Sequence, residues 1–72
     1  MVNEPNLHER EKLIRIFNSK EYSDLFNLIS NLKKKYPNSI FLLSLLGNLN
    51  NKIEKYTDAI INFKNILLIK PN

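Results

Sequence analysis

The chain says nearly the same thing twice at a fixed offset of 34 residues, and this constrains its fold more than any other feature. Sliding the segment 21–38 onto 55–72 aligns Tyr22 with Tyr56, Asp24 with Asp58, Asn31 with Asn65, Pro37 with Pro71 and Asn38 with Asn72, without a gap. Apolar positions keep the same offset, with Phe26 on Ile60, Ile29 on Phe63 and Leu32 on Ile66. A period of this length is that of one supersecondary unit, which buries its hydrophobic side by stacking on its neighbour.

Periodicity within each copy is helical. Leu13, Ile16 and Phe17 form a first apolar face after Pro5, a residue suited to a first helical turn because its missing N–H has no partner there. Asn18, Ser19 and Lys20 read as a break. Tyr22, Leu25, Phe26, Ile29, Leu32 and Tyr36 then recur at steps of three and four, and Pro37 stops the second helix by pushing its predecessor out of the α region. Asn38 or Ser39 can cap a third helix with Leu42, Leu45, Leu46, Leu49 and Ile53 on its stripe, widened by Phe41 and Leu43. That helix is expected to be covered on more than one side and to yield around Asn50 and Asn51. Tyr56, Ala59, Ile60, Phe63, Ile66 and Leu67 define a fourth, ended by Pro71. No stretch alternates with period two, so the prediction is an all-α fold of two antiparallel helix-turn-helix hairpins.

Seventy-two residues allow one small domain, since a chain of this size buries only about 60% of its unfolded surface. With no cysteine, neither a disulfide framework nor a thiolate metal site nor a cysteine nucleophile is possible. The longest apolar runs, IFLL and ILLI, are far shorter than the roughly 18 residues of a spanning helix. Residues 1–5 read as a short leader without secretory character, which leaves a cytoplasmic location as the expectation and no membrane partner. A net charge of +4 is too small for a nucleic-acid footprint, so a nucleic-acid partner is not expected.

The second half, 40–72, resembles the tetratricopeptide repeat. Leu43-Ser44-Leu45-Leu46-Gly47-Asn48-Leu49-Asn50, then Ala59 and Phe63, then Pro71, fall on that family's W-x2-L-G-x2-Y, A-x3-F and P spacings. Leu46, Gly47, Ala59, Phe63 and Pro71 match and, with Tyr56, make up its packing signature; Leu43 and Asn50 depart. Residues 6–39 resemble a degenerate first repeat, with Leu13 and Leu25 in place of Gly47 and Ala59, so that hairpin should pack at a different spacing. The resemblance implies a right-handed stack whose first helices line a concave groove for a peptide or partner helix. The groove-facing residues it implies are Arg10, Ile14, Phe17, Ser44, Asn48, Asn51 and Lys52, with Asn48 able both to donate and to accept. A groove that grips a carboxylate is not implied, because Ile14 and Leu45 stand where it needs asparagine.

Candidate chemistry is sparse. His8, with Glu4 and Glu11 a turn either side, falls short of a defined zinc site. The acidic pairs Glu21/Asp24 and Glu54/Asp58 sit at helix starts, where the exposed N–H groups favour them. Lys33, Lys34 and Lys35 close the second helix, where cations oppose the negative dipole end. A single glycine excludes any glycine-rich phosphate loop. The expectation is a non-enzymatic protein-interaction module with no catalytic residue, metal or cofactor, and a protein or peptide as ligand. Two alternatives are the N-terminal repeat segment of a larger enzyme such as a glycosyltransferase or sulfotransferase, and a small homo-oligomer joined through its last helix. The first draws on the stretch KKYPNS and the Leu-Leu-Gly helix after it, which resemble segments that open proteins with such transferase domains; the second draws on Leu68 and Ile69, apolar where the second helix has lysine, and after Pro71-Asn72 another helix is expected.

Overall fold

Asn6, not Pro5, begins the first helix. In the computed structural model, which describes residues 4–70, the Asn6 side chain accepts from the Glu9 N–H at 2.8 Å while the Glu9 carboxylate accepts from the Asn6 N–H at 2.9 Å, a reciprocal cap. Pro5 lies one residue before that cap and is fully buried. Four helices follow: α1 Leu7–Asn18, α2 Tyr22–Lys35, α3 Ile40–Lys52 and α4 Tyr56–Ile69. Packing runs α1 on α2, α2 on α3 and α3 on α4, an all-α stack of two helical hairpins.

The sequence repeat is also a repeat of backbone geometry. Lys20 and Glu54, 34 positions apart, both adopt left-handed conformations with φ of 62° and 63°. The residues after them, Glu21 and Lys55, take matching cap conformations at φ −84°, ψ 65° and φ −93°, ψ 68°. Their amides reach back to the carbonyls of Ile16 and Asn50, which share the same offset. Each turn thus closes its hairpin in the same way. The second break falls at Ile53 to Lys55, a little later than the Asn50-Asn51 expected, because α3 continues its ladder through Lys52. Ile53, expected on the α3 stripe, is instead the helix cap and is 37% exposed.

Ser39 is the α3 cap, accepting from the Leu42 N–H at 3.0 Å. A second cap comes from outside the helix. The Glu4 carboxylate accepts from the Ile40 N–H at 2.8 Å, from the Phe41 N–H at 3.3 Å and from the Ser39 hydroxyl. Glu4, expected as part of a leader, therefore ties the segment before α1 to the second hairpin. Tyr36, also buried, adds another long-range tie by donating its hydroxyl to Glu9 at 3.1 Å. The Glu9 carboxyl is held below the usual carboxylate range, first by the Asn6 N–H, with the Tyr36 hydroxyl and the Lys35 charge acting the same way.

The core is centred between α1, α2 and α3. Leu13, Leu25, Ile29, Leu42 and Leu49 are wholly buried, with Tyr36, Leu45 and Leu46 nearly so. Helix α3 is enclosed on several sides, as expected. Its contact with α4 is much more extensive than that between α1 and α2. Small residues account for the difference. Ala59 is 2% exposed, and a methyl group on Gly47 would stand 2.7 Å from the Phe63 ring. Leu13 and Leu25 hold the first hairpin further apart. Replacing Gly47 by leucine is expected to destabilise the chain by about 3 kcal/mol, because the ring and the α4 backbone must both retreat. Chemical denaturation checks this, and a Phe63→Ala background should recover a substantial part of the loss.

Candidate functional site

Residues implied to face a groove lie on one side of α1 and α3. Asn48, Asn51 and Lys52 are exposed, Ile14 is 45% exposed, and Arg10, Phe17 and Ser44 are half-buried. Arg10 and Phe41 join the two helices there, the guanidinium carbon lying 6.0 Å from the ring centre. The Arg10 Nε is enclosed and has no hydrogen-bond partner. Phe17 meets Tyr22 at 5.9 Å between ring centres and is partly occupied in closing the first hairpin. This side is a polar surface with one cation held over an aromatic ring. His8 is exposed on α1 with no metal-binding cluster around it among the described residues.

The packing signature divides. Leu46, Gly47 and Ala59 are buried and Phe63 covers Gly47, whereas Tyr56 is 56% exposed. Pro71 lies outside the described residues. The exposure of Tyr56 belongs to a larger pattern along α4. Ile60, Phe63 and Leu67 follow it at steps of four, three and four, one continuous stripe, and all are at least one-third exposed. The copy of this stripe on α2 is different: Ile29, the counterpart of Phe63, is wholly buried and Tyr22 is half-buried. Ile29 lies in the core shared by α1, α2 and α3 and Tyr22 meets Phe17 of α1, whereas Phe26, the counterpart of Ile60, is 46% exposed. On the α4 stripe Phe63 rests against Gly47 of α3, while Tyr56, Ile60 and Leu67 are each more than half exposed.

The other end of the stack is finished differently. Leu42, Leu45 and Leu49 are the α3 residues that enter the core, and their counterparts on α1 are His8, Glu11 and Arg15, all exposed. One end is polar and one is apolar.

A third surface was not legible in the sequence. Helices α2 and α4 flank α3, and Leu43, Leu46, Asn50 and Ile53 of α3 form the floor between them. Three open clefts of about 250 Å³ each lie along this trough, separated by single helical turns. Each is smaller than the roughly 300–1,000 Å³ of a small-molecule site, which suits them to individual side chains. None is lined by the seven groove residues. Asn50 and Asn62 are only 3% and 8% exposed within the trough. Their burial could not be read from periodicity, since polar residues are assigned to the solvent side by default.

Comparison with protein-family models, with curated proteins and with solved structures finds no match for this chain.

Proposed function

We propose that the chain is a non-enzymatic protein-interaction module built from two repeats of the tetratricopeptide type, and that its principal contact surface is the outer stripe of α4. The observation that carries this reading is the contrast between equivalent stripes. Ile29 is wholly buried in the core and Tyr22 is half-buried, while Tyr56, 34 positions on from Tyr22, is 56% exposed together with Ile60 and Leu67, and Phe63 is one-third exposed beside Gly47. A helix carrying leucines in the pattern of Leu42, Leu45 and Leu49 would meet α4 as α3 meets α2. The polar set His8, Glu11 and Arg15 makes α1 of a second copy a poor candidate for that place. The repeated left-handed turns at Lys20 and Glu54 support the repeat assignment independently of side chains.

The side of the molecule bearing Asn48 is a second contact surface, favoured by the exposure of Asn48, Asn51 and Lys52, whose amides and ammonium can pair with a ligand main chain.

The test uses the intact chain and a synthetic peptide covering residues 39–53, which supplies the α3 pattern in trans. Titration is expected to shift the backbone resonances of Tyr56, Ile60 and Leu67, and Leu67→Glu is expected to weaken binding at least tenfold while leaving the fold intact, since Leu67 is 57% exposed. Shifts absent at millimolar peptide, or unaffected by the substitution, would count against the proposal.

A further inference from the structure

The α4 stripe is positively charged toward one end. Lys64 stands one turn from both Ile60 and Leu67, Lys70 stands three residues beyond Leu67, and both lysines are exposed. Lys33 lines the same cleft as Leu68 and Ile69, so the basic end of α2 lies beside the end of α4 and adds to the same field. Carboxylates are elsewhere or already engaged. Asp58 is two residues from both Tyr56 and Ile60, and so on another side of α4, where it lines the cleft shared with Phe26 of α2. Glu54 precedes α4 at its other end, with Lys52 and Lys55 close to it in the chain. Glu4 accepts from the first amides of α3, and Glu9 from the Asn6 N–H and the Tyr36 hydroxyl.

We propose that the occupant of the α4 stripe is an amphipathic helix of another protein, antiparallel to α4, with leucines in the α3 pattern and carboxylates in its first turn. This rests on the interaction-module reading and adds the direction and the charge of the partner. Direction follows from the repeat. Helices α2 and α3 are joined by only four residues, Tyr36 to Ser39, and therefore run antiparallel. A helix taking the equivalent place on α4 starts where α4 ends, and its first turn lies beside Lys70 and Lys64. A carboxylate there meets the two lysines and also the unpaired N–H groups of its own helix start. The same charges argue against a second copy of this chain. Its α4 would bring the same lysines to the contact, and its α1 carries His8, Glu11 and Arg15 in place of the leucines.

The test titrates the intact chain at low salt with two variants of the 39–53 peptide, following the backbone resonances of Tyr56, Ile60 and Leu67. One variant carries Ile40→Glu and Phe41→Glu in the first turn, and the other Asn50→Glu and Asn51→Glu in the last. The first is expected to bind about fivefold more tightly, and the difference to shrink in about 0.5 M salt. In a chain carrying Lys64→Glu and Lys70→Glu, both exposed positions, the preference is expected to disappear or reverse. That chain leaves the helix signals of the peptides untouched, so it separates pairing with the lysines from a difference in peptide helicity. Equal affinities, or a preference unchanged in the Lys64→Glu, Lys70→Glu chain, overturn the proposal and leave the module reading in place. If neither variant nor the unsubstituted peptide moves the three resonances at millimolar concentration, both readings fall. Shifts of those resonances on diluting the chain alone would overturn the proposal in favour of a second copy.

Discussion

Ile29→Ala is expected to lower stability by about 2–5 kcal/mol, the range for a buried aliphatic side chain cut back to its first carbon. Ile29 is wholly buried where α2 meets α3, so the loss combines transfer free energy with a cavity that three helices cannot easily close. For a chain of this length total stability is about 4–11 kcal/mol, so the substitution removes a large fraction of it. Thermal melting followed by circular dichroism reads this as a fall of roughly 8–40 °C. The informative comparison is Ile60→Ala, on the α4 stripe and 54% exposed, which should stay within about 0.5 kcal/mol of the parent. Equal losses at the two positions would mean that the α4 stripe is covered in solution.

Glu4→Ala is expected to cost about 2 kcal/mol, or roughly 8–16 °C, although it removes a residue outside every helix. The carboxylate satisfies the amides of Ile40 and Phe41 and the Ser39 hydroxyl, in the place where a helix start favours negative charge. Hydrogen bonds to a charged group contribute more than neutral ones, and the amides stripped of it lie in a part-buried setting. Glu4→Gln, which keeps an acceptor but loses the charge, should fall between parent and alanine. Ser39→Ala removes the second cap on the same turn, so the double variant should lose less than the two single losses together. Strict additivity in denaturant melts would show that the two residues do not share a turn.

Helical spacing carried most of the architecture. The 34-residue offset placed α2 and α4 in register, and Pro37 with Ser39 marked the start of α3, because these signals act within a few residues. Gly47 and Ala59 were legible for the same reason, as small residues on facing helices. Glu4 was not, since its partners lie 35 to 37 residues away and no local pattern announces them. The turns at Lys20 and Glu54 were also hidden, as neither glycine nor asparagine marks the left-handed positions. Asn50 and Asn62 show the limit most clearly. Their burial depends on which polar residues three helices enclose together, a property of the assembled stack.

The tie between Glu4 and the start of α3 couples the first hairpin to the second. Opening the first hairpin means releasing Glu4 and parting Tyr36 from Glu9, so α1, α2 and the start of α3 must come undone as a unit. Helix α4 is held instead by its long seam with α3, in which Ala59 and Gly47 let the two helices approach closely. The two hairpins thus keep their shape by different means, the first by polar clasps far apart in sequence and the second by close apolar contact.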